Sequence, residues 1–364
     1  MSARPIVDTT HVHEGVTGLA LQGDHLRLTL FPEAGAKILD LVHLPTGINL
    51  LWQNPRVPLR RTYPGAAFDD VWCGGWDELF PTDTACELGG NTFHDHGDLW
   101  HGPWEWSVEE DDGETATVAL RRFAVALPCL MEKWVTLRRD SVEVSFRHRL
   151  TNLGTQPVPF AWSLHVAHAI GPDSRIHLPV EGVVVVPAQP GRFGGTPMPL
   201  PWPLHGDLDL AAVLPADAGL TEWLHTVGQR EGWCAVTHPS RSVGLRITFD
   251  PELFRTTWLW GVYGGGSALK LQAQLALKAI PHFRLQRLGP PRAVGRSEPS
   301  CAPKERFGQS SLCDQDRLAV QMGHGQAGDE IEVGRREEAG RGQGAGGQGR
   351  GLGLDQQVQQ QAPQ

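Results

Sequence analysis

Apolar and polar residues alternate along most of the first 264 positions, and that rhythm decides the fold class. In His25-Leu-Arg-Leu-Thr-Leu-Phe31 the leucines fall on every second residue. After the turn residues Pro32-Glu-Ala-Gly-Ala36 comes Lys37-Ile-Leu-Asp-Leu-Val-His43, a second candidate strand. Period-two patterning of this kind predicts half-buried strands. Residues 46–52, 115–121, 132–138, 142–148 and 158–165 continue it with β-branched and aromatic content. Residues 176–186, 232–238, 243–249 and 257–263 are further candidates. No stretch in this region carries a convincing helical period. The expectation is an all-β fold, a large antiparallel β-sandwich.

Two segments break the rhythm. Residues 53–90 form a long connection punctuated by glycine and proline and holding Val71-Trp-Cys-Gly-Gly-Trp-Asp-Glu-Leu-Phe-Pro81. Irregular segments of that length inside a strand-rich domain are more often functional than idle. Asn91-Thr-Phe-His-Asp-His-Gly-Asp-Leu-Trp-His-Gly-Pro-Trp-Glu-Trp106 then gathers three histidines and three tryptophans around Gly97, Gly102 and Pro103. Such a segment is expected to be a turn between strands, presenting titratable and aromatic groups.

Composition adds a boundary. All thirteen tryptophans lie between Trp52 and Trp260, and both tyrosines, Tyr63 and Tyr263, stop in the same region. The aromatic-rich, strand-patterned part therefore ends near Gly264-Gly-Gly266. Three segments are expected: a sandwich over 1–266, an atypical stretch over 267–322, and a Gly-, Gln- and Arg-rich tail over 323–364 read as disordered. The abrupt change suggests an altered reading frame or alternative exon after about residue 265, with the sandwich's C-terminal strands incomplete. Residues 269–277 fit either strand or helix.

Charge and cysteine content exclude some functions. A net charge of −9 and a pI near 6.0 argue against nucleic-acid binding, which needs a basic face. No apolar run reaches membrane-span length, and the first residues lack a signal core, so the expected location is the cytoplasm. The six cysteines include no CxxC pair and read as reduced thiols.

The candidate chemistry starts at His94-Asp-His96. Two histidines on alternate strand positions could grip a cation, with His101 nearby to assist, but Gly97 interrupts any strand and Glu105 lies too far along. No metal is therefore expected. Proton transfer needs less: a histidine titrates near neutral pH, and His96, beside Gly97, and His165, at a strand end, suit it. The plainer alternative is that each satisfies a buried polar contact. Trp76, Trp100, Trp104 and Trp106 are what a sandwich core uses. Yet indole faces beside Asp77, Glu78 and histidines are also what a pyranose needs, ring against C–H face and polar groups for hydroxyls. For Asp77 and Glu78 the alternative is a solvated loop pair.

In order and spacing these pieces resemble the aldose 1-epimerase (galactose mutarotase-like) family over residues 15–265. The likeness rests on Phe31-Pro-Glu-Ala-Gly-Ala-Lys-Ile38, Gly74-Gly-Trp-Asp-Glu-Leu-Phe-Pro81, the His-Gly turn Asp95-His-Gly-Asp-Leu-Trp100, and Asn152 followed by Trp162-Ser-Leu-His165. The resemblance implies a β-supersandwich that interconverts the anomers of a free aldohexose without a cofactor. It makes His165 the general acid toward the ring oxygen and His96 a group that binds and polarises the sugar; Trp76, Asp77, Glu78 and Trp100 are the candidate substrate-binding residues. The family's general base is a glutamate soon after a segment like Trp260-Gly-Val-Tyr-Gly-Gly265. Here the first glutamate after that segment is Glu298, too far along to serve. An arginine common before the Gly-Gly pair is replaced by Val71-Trp-Cys73, and Trp100 stands where some members carry arginine. A non-catalytic carbohydrate-binding protein with the same groove is the alternative.

Overall fold

A computed structural model describes residues 6–88, 90–156, 158–193 and 199–264. It also gives the backbone of the strands Gln274–Ile280, His282–Leu285 and Arg317–Met322. The expected tail over 323–364 and most of the stretch over 267–322 fall outside the described residues.

Strand is the dominant regular structure of the described chain, as the alternation predicts. Its one α-helix is the single turn Phe68–Val71. Among the described residues, two large sheets dominate, one of twelve strands and one of eight. The first runs Val7–Asp8, Leu19–Gln22, Leu26–Phe31, Lys37–His43, Trp76–Leu79, Ser163–Ala169, Gln274–Ile280, Thr256–Tyr263, Leu220–Val227, Gly182–Pro190, Pro199–Pro201, with Ile48–Asn49 paired beside Lys37–His43. The second runs Glu105–Asp111, Thr115–Phe123, Cys129–Arg138, Glu143–Asn152, Arg317–Met322, Val243–Thr248, Trp233–His238, Arg175–His177. Every pairing between these named strands is antiparallel.

Each strand divides its residues between two environments because successive side chains point to opposite faces. Leu28, Ile38, Val166 and Leu259 from the larger sheet and Val135 and Phe146 from the smaller share one buried apolar cluster, the core between the sheets. Burying such a side chain contributes about 1.5–3 kcal/mol. The opposite face of the larger sheet carries a separate cluster of Trp52, Phe68, Trp72, Leu79, Trp100 and Ala167. That second cluster surrounds the site.

The larger sheet takes in a strand from beyond residue 266, the region where the sequence left its last strands in question. Gln274–Ile280 lies between Ser163–Ala169 and Thr256–Tyr263, with His165 opposite Lys278 and Trp258 opposite the same residue from the other side. Arg317–Met322 likewise joins Glu143–Asn152 to Val243–Thr248. The segment that fitted strand or helix is strand from Gln274 onward.

Candidate functional site

Two imidazoles from distant parts of the chain meet on the outer face of the larger sheet. His165 lies inside Ser163–Ala169, whose Leu164 and Val166 enter the inter-sheet core, so alternation turns His165 outward. His96 is carried by the turn between the strands Asn91–Phe93 and Glu105–Asp111. It has a left-handed backbone (φ 61°), as does Gly97 (φ 68°). A non-glycine residue in that region costs about 1–3 kcal/mol and is held there by its surroundings. What holds it is the docking of the turn on the end of the Trp76–Leu79 strand. Asp98 N–H donates to Phe80 C=O at 2.7 Å, and a Cβ on Gly97 would sit 2.1 Å from the same oxygen. The close approach that Gly97 permits is thus to protein backbone.

The ring centroids of His96 and His165 are 5.9 Å apart, nearly perpendicular at 85°. His96 Nδ1 lies 2.8 Å from Asp95 Oδ2, a close approach that misses hydrogen-bond alignment. Phe68 stacks flat on His96, centroids 3.9 Å apart and planes 2° from parallel, and meets His165 edge-on at 5.5 Å. Trp72 meets His165 at 4.9 Å, and Trp100 meets Phe68 at 5.0 Å. Trp100 is fixed by its indole N–H, which donates to Gly97 C=O at 3.1 Å. His165 is buried and Phe68 and Trp72 roof it, so the space beside the imidazoles is filled by aromatic rings in this conformation.

Asp77 and Glu78 are both buried, neither being a solvated loop residue, and they part company. Trp76–Leu79 is a strand, so Trp76 and Glu78 face the inter-sheet core and Asp77 and Leu79 face the site. Asp77 Oδ2 accepts from Lys37 Nζ at 2.5 Å and from Trp72 Nε1 at 3.1 Å. Lys37 also donates to Gly74 C=O at 2.9 Å. Asp77 therefore positions Trp72, and Gly74 and Gly75 bring backbone against Trp52 and Ile38. Glu78 Oε1 takes Lys133 Nζ at 2.8 Å and His148 Nε2 at 2.9 Å, and Oε2 faces Trp162 Nε1 at 3.3 Å. Burial alone would push its carboxyl up. The charges of His148 and Lys133 outweigh that and hold it below the ordinary carboxylate range. Trp76 packs on Phe146 at 4.9 Å. The structure thus gathers His96, His165, Asp77 and Trp100 on one face and sets Trp76 and Glu78 on the other.

No family model matches the sequence, and no curated protein matches it. Solved structures do match. The Slr1438 protein from Synechocystis sp. PCC 6803 superposes with a TM-score of 0.58 at 16% identity, covering 87% of this chain and 99% of that one. A galactose mutarotase-like protein from Clostridium acetobutylicum gives 0.54 at 10% identity, with 87% and 97% covered. A candidate aldose 1-epimerase from Escherichia coli K12 gives 0.54 at 14% identity, with 85% and 99% covered. The fold is galactose mutarotase-like.

Within this mutarotase-like sandwich, several residues at the site escaped sequence reasoning. Phe68 and Trp72 sit in the long 53–90 connection, and a one-turn helix leaves no periodic trace. Lys37 did leave a signal: a cation flanked by Ala36 and Ile38 at the opening of a largely apolar strand needs an anion once it is buried. Trp260 joins from the far side, 6.1 Å from Trp72.

The three histidines of the metal alternative do not converge. His94 is exposed, whereas His101 is fully buried beside Arg122, its ring pushed down to about 4 by burial and by the Arg122 charge. Among the described residues no group of three or more His, Cys, Asp or Glu side chains is arranged to hold a metal ion. Cys73, Cys86, Cys129 and Cys234 are free thiols, while Cys301 and Cys313 lie outside the described residues. Among the described residues no helix is long and apolar enough to cross a membrane.

Proposed function

We propose that the chain binds a free aldose on the outer face of the larger sheet and interconverts its α and β anomers. The observation that carries this reading is the meeting of His96 and His165, imidazoles from distant segments, on one tryptophan-lined face. Anomer exchange requires a proton to leave the anomeric hydroxyl while another reaches the ring oxygen. His165 would donate to the ring oxygen. His96, with the Asp95 carboxylate beside its Nδ1, is the better-placed acceptor, since the strand Gln274–Ile280 next to His165 contains no acidic residue. The C1–ring-oxygen bond breaks, the open-chain aldehyde turns, and closure on its other face returns both protons. Asp77 would act at one remove, by holding Trp72. Entry of a hexose requires the Phe68 ring to swing off His96. The names of the mutarotase-like neighbours point the same way.

Polarimetric relaxation of α-D-glucose and α-D-galactose tests the proposal. The rate should rise with protein concentration, and His165→Ala should abolish the increment. A rate equal to the buffer's at every protein concentration refutes catalysis.

A second reading, a non-catalytic carbohydrate-binding protein, is favoured by two observations: the roof over His165, and the lack of a carboxylate on the neighbouring strand Gln274–Ile280, while Asp77 on the other neighbour is engaged by Lys37 and Trp72. It predicts saturable sugar binding with no change in relaxation rate.

A further inference from the structure

The aromatic lining of the site continues across the sheet well past the imidazoles. Trp258 and Trp260 alternate with Leu259, which enters the inter-sheet core, so both indoles share the face of His165. On the next strand Trp223 and His225 alternate with the core residue Leu224 and share that face too. Trp223 lies opposite Trp260 and His225 opposite Trp258 in the register. Their rings are in contact: His225 stacks on Trp258 at 4.1 Å and 13°, and Trp223 meets Trp258 at 5.7 Å. Trp260 is oriented by Gln189, whose Oε1 accepts its indole N–H at 2.5 Å.

These indoles differ from the rest of the tryptophan complement at the site. Trp52, Trp72 and Trp100 are buried, whereas Trp223, Trp258 and Trp260 are only half-buried. Clustered, partly open aromatic surface of this kind marks a place where something docks. The strand of Trp258 lies two strand positions from that of His165, and the strand of Trp223 lies three. At the usual strand spacing the platform reaches about 10–14 Å from His165, the span of a sugar joined to one already held at the imidazoles. Trp72, between His165 and Trp260, makes the surface continuous.

We propose that Trp223, Trp258 and Trp260 form a second saccharide subsite, and that the ligand is the reducing end of an oligosaccharide. Its free anomeric ring is held at His96 and His165, and the next ring stacks on the indoles. This inference rests on the sugar-binding reading above. Indole faces stack the C–H faces of pyranoses, while Gln189 at the edge leaves polar groups for hydroxyls.

Titration calorimetry with D-glucose and D-galactose against cellobiose, lactose and maltose tests it in the unaltered protein. At least one disaccharide should bind tighter than its monosaccharide by roughly tenfold. Trp258→Ala should erase that preference and leave monosaccharide affinity as it was, with Trp258→Phe restoring part of it. Equal affinities for mono- and disaccharides in the unaltered protein would overturn the subsite while leaving the sugar-binding reading intact. Absence of binding by any of these sugars would overturn both. Self-association that Trp258→Ala reverses, with no disaccharide preference, would assign the platform to a protein contact and also overturn the subsite.

Discussion

Replacing His168 with leucine should flatten the acid side of the stability curve. His168 is 1% exposed, on the inner face of the strand that carries His165, and neither ring nitrogen has a hydrogen-bond partner. Burial pushes its imidazole down to about 3, helped by the charge of His238, whose Nδ1 lies 2.8 Å from Ser174 Oγ. The unfolded chain takes up the proton near pH 6.5, whereas the folded chain resists it down to about pH 3. The contribution is therefore present in full above pH 6.5 and is lost progressively as pH falls toward 3. At pH 5 the unfolded state has gained about 1.5 pH units of protonation that the folded state lacks, worth about 2 kcal/mol. Leucine is close in volume and carries no proton, and it removes an unpaired buried N–H whose desolvation costs about 1–3 kcal/mol. Urea unfolding followed by tryptophan fluorescence at pH 5 and pH 8 should show the parent losing more stability than the variant, by about 2 kcal/mol. Parallel pH dependence in the two proteins would refute the reasoning, because His168 would then exchange its proton as freely folded as unfolded.

Three further outcomes are expected. Glu78→Gln leaves Lys133 and His148 buried without their anion and should cost about 3–5 kcal/mol in urea unfolding; a loss under 1 kcal/mol would mean that the cluster is hydrated. Phe68→Ala should speed modification of His96 by diethyl pyrocarbonate, mapped by mass spectrometry, because the ring stacked on the imidazole is gone; an unchanged rate would show that something else covers it. Gly97→Ala forces a Cβ to within 2.1 Å of Phe80 C=O in a left-handed backbone. It should lower the melting temperature and destabilise by at least the roughly 1–3 kcal/mol of such strain, and a silent substitution would mean that the turn docks elsewhere.

The strands were legible because period two survives wherever one face is buried. Lys37–His43 has the bounds the alternation marks, and Thr115–Phe123, Cys129–Arg138 and Glu143–Asn152 overlap the expected strands with shifted ends. Residues 158–165 break at Trp162, and His165 falls inside the strand that resumes at Ser163, not at its end. The site was legible in its histidines and less so in its acids. Gly74-Gly75 made the following four residues look like loop, so Asp77 and Glu78 were paired, whereas a strand sends neighbours to opposite faces. The roof of Phe68 and Trp72 was not legible. A single helical turn has no period, and its contacts with His96 and His165 are set by a fold that brings the segments together.

The strand Gln274–Ile280 sits between two partners that are both synthesised before it, one of them long before. Ser163–Ala169 is made roughly a hundred residues earlier, and Thr256–Tyr263 also precedes it. At about 5–20 residues per second, the nascent Ser163–Ala169 strand waits on the order of 5–20 s for this neighbour. Until then it offers an open row of backbone donors and acceptors to any other extended chain nearby. That exposure ends when Gln274–Ile280 pairs with Ser163–Ala169 on one side and Thr256–Tyr263 on the other, wedging shut a gap that stays open for much of synthesis.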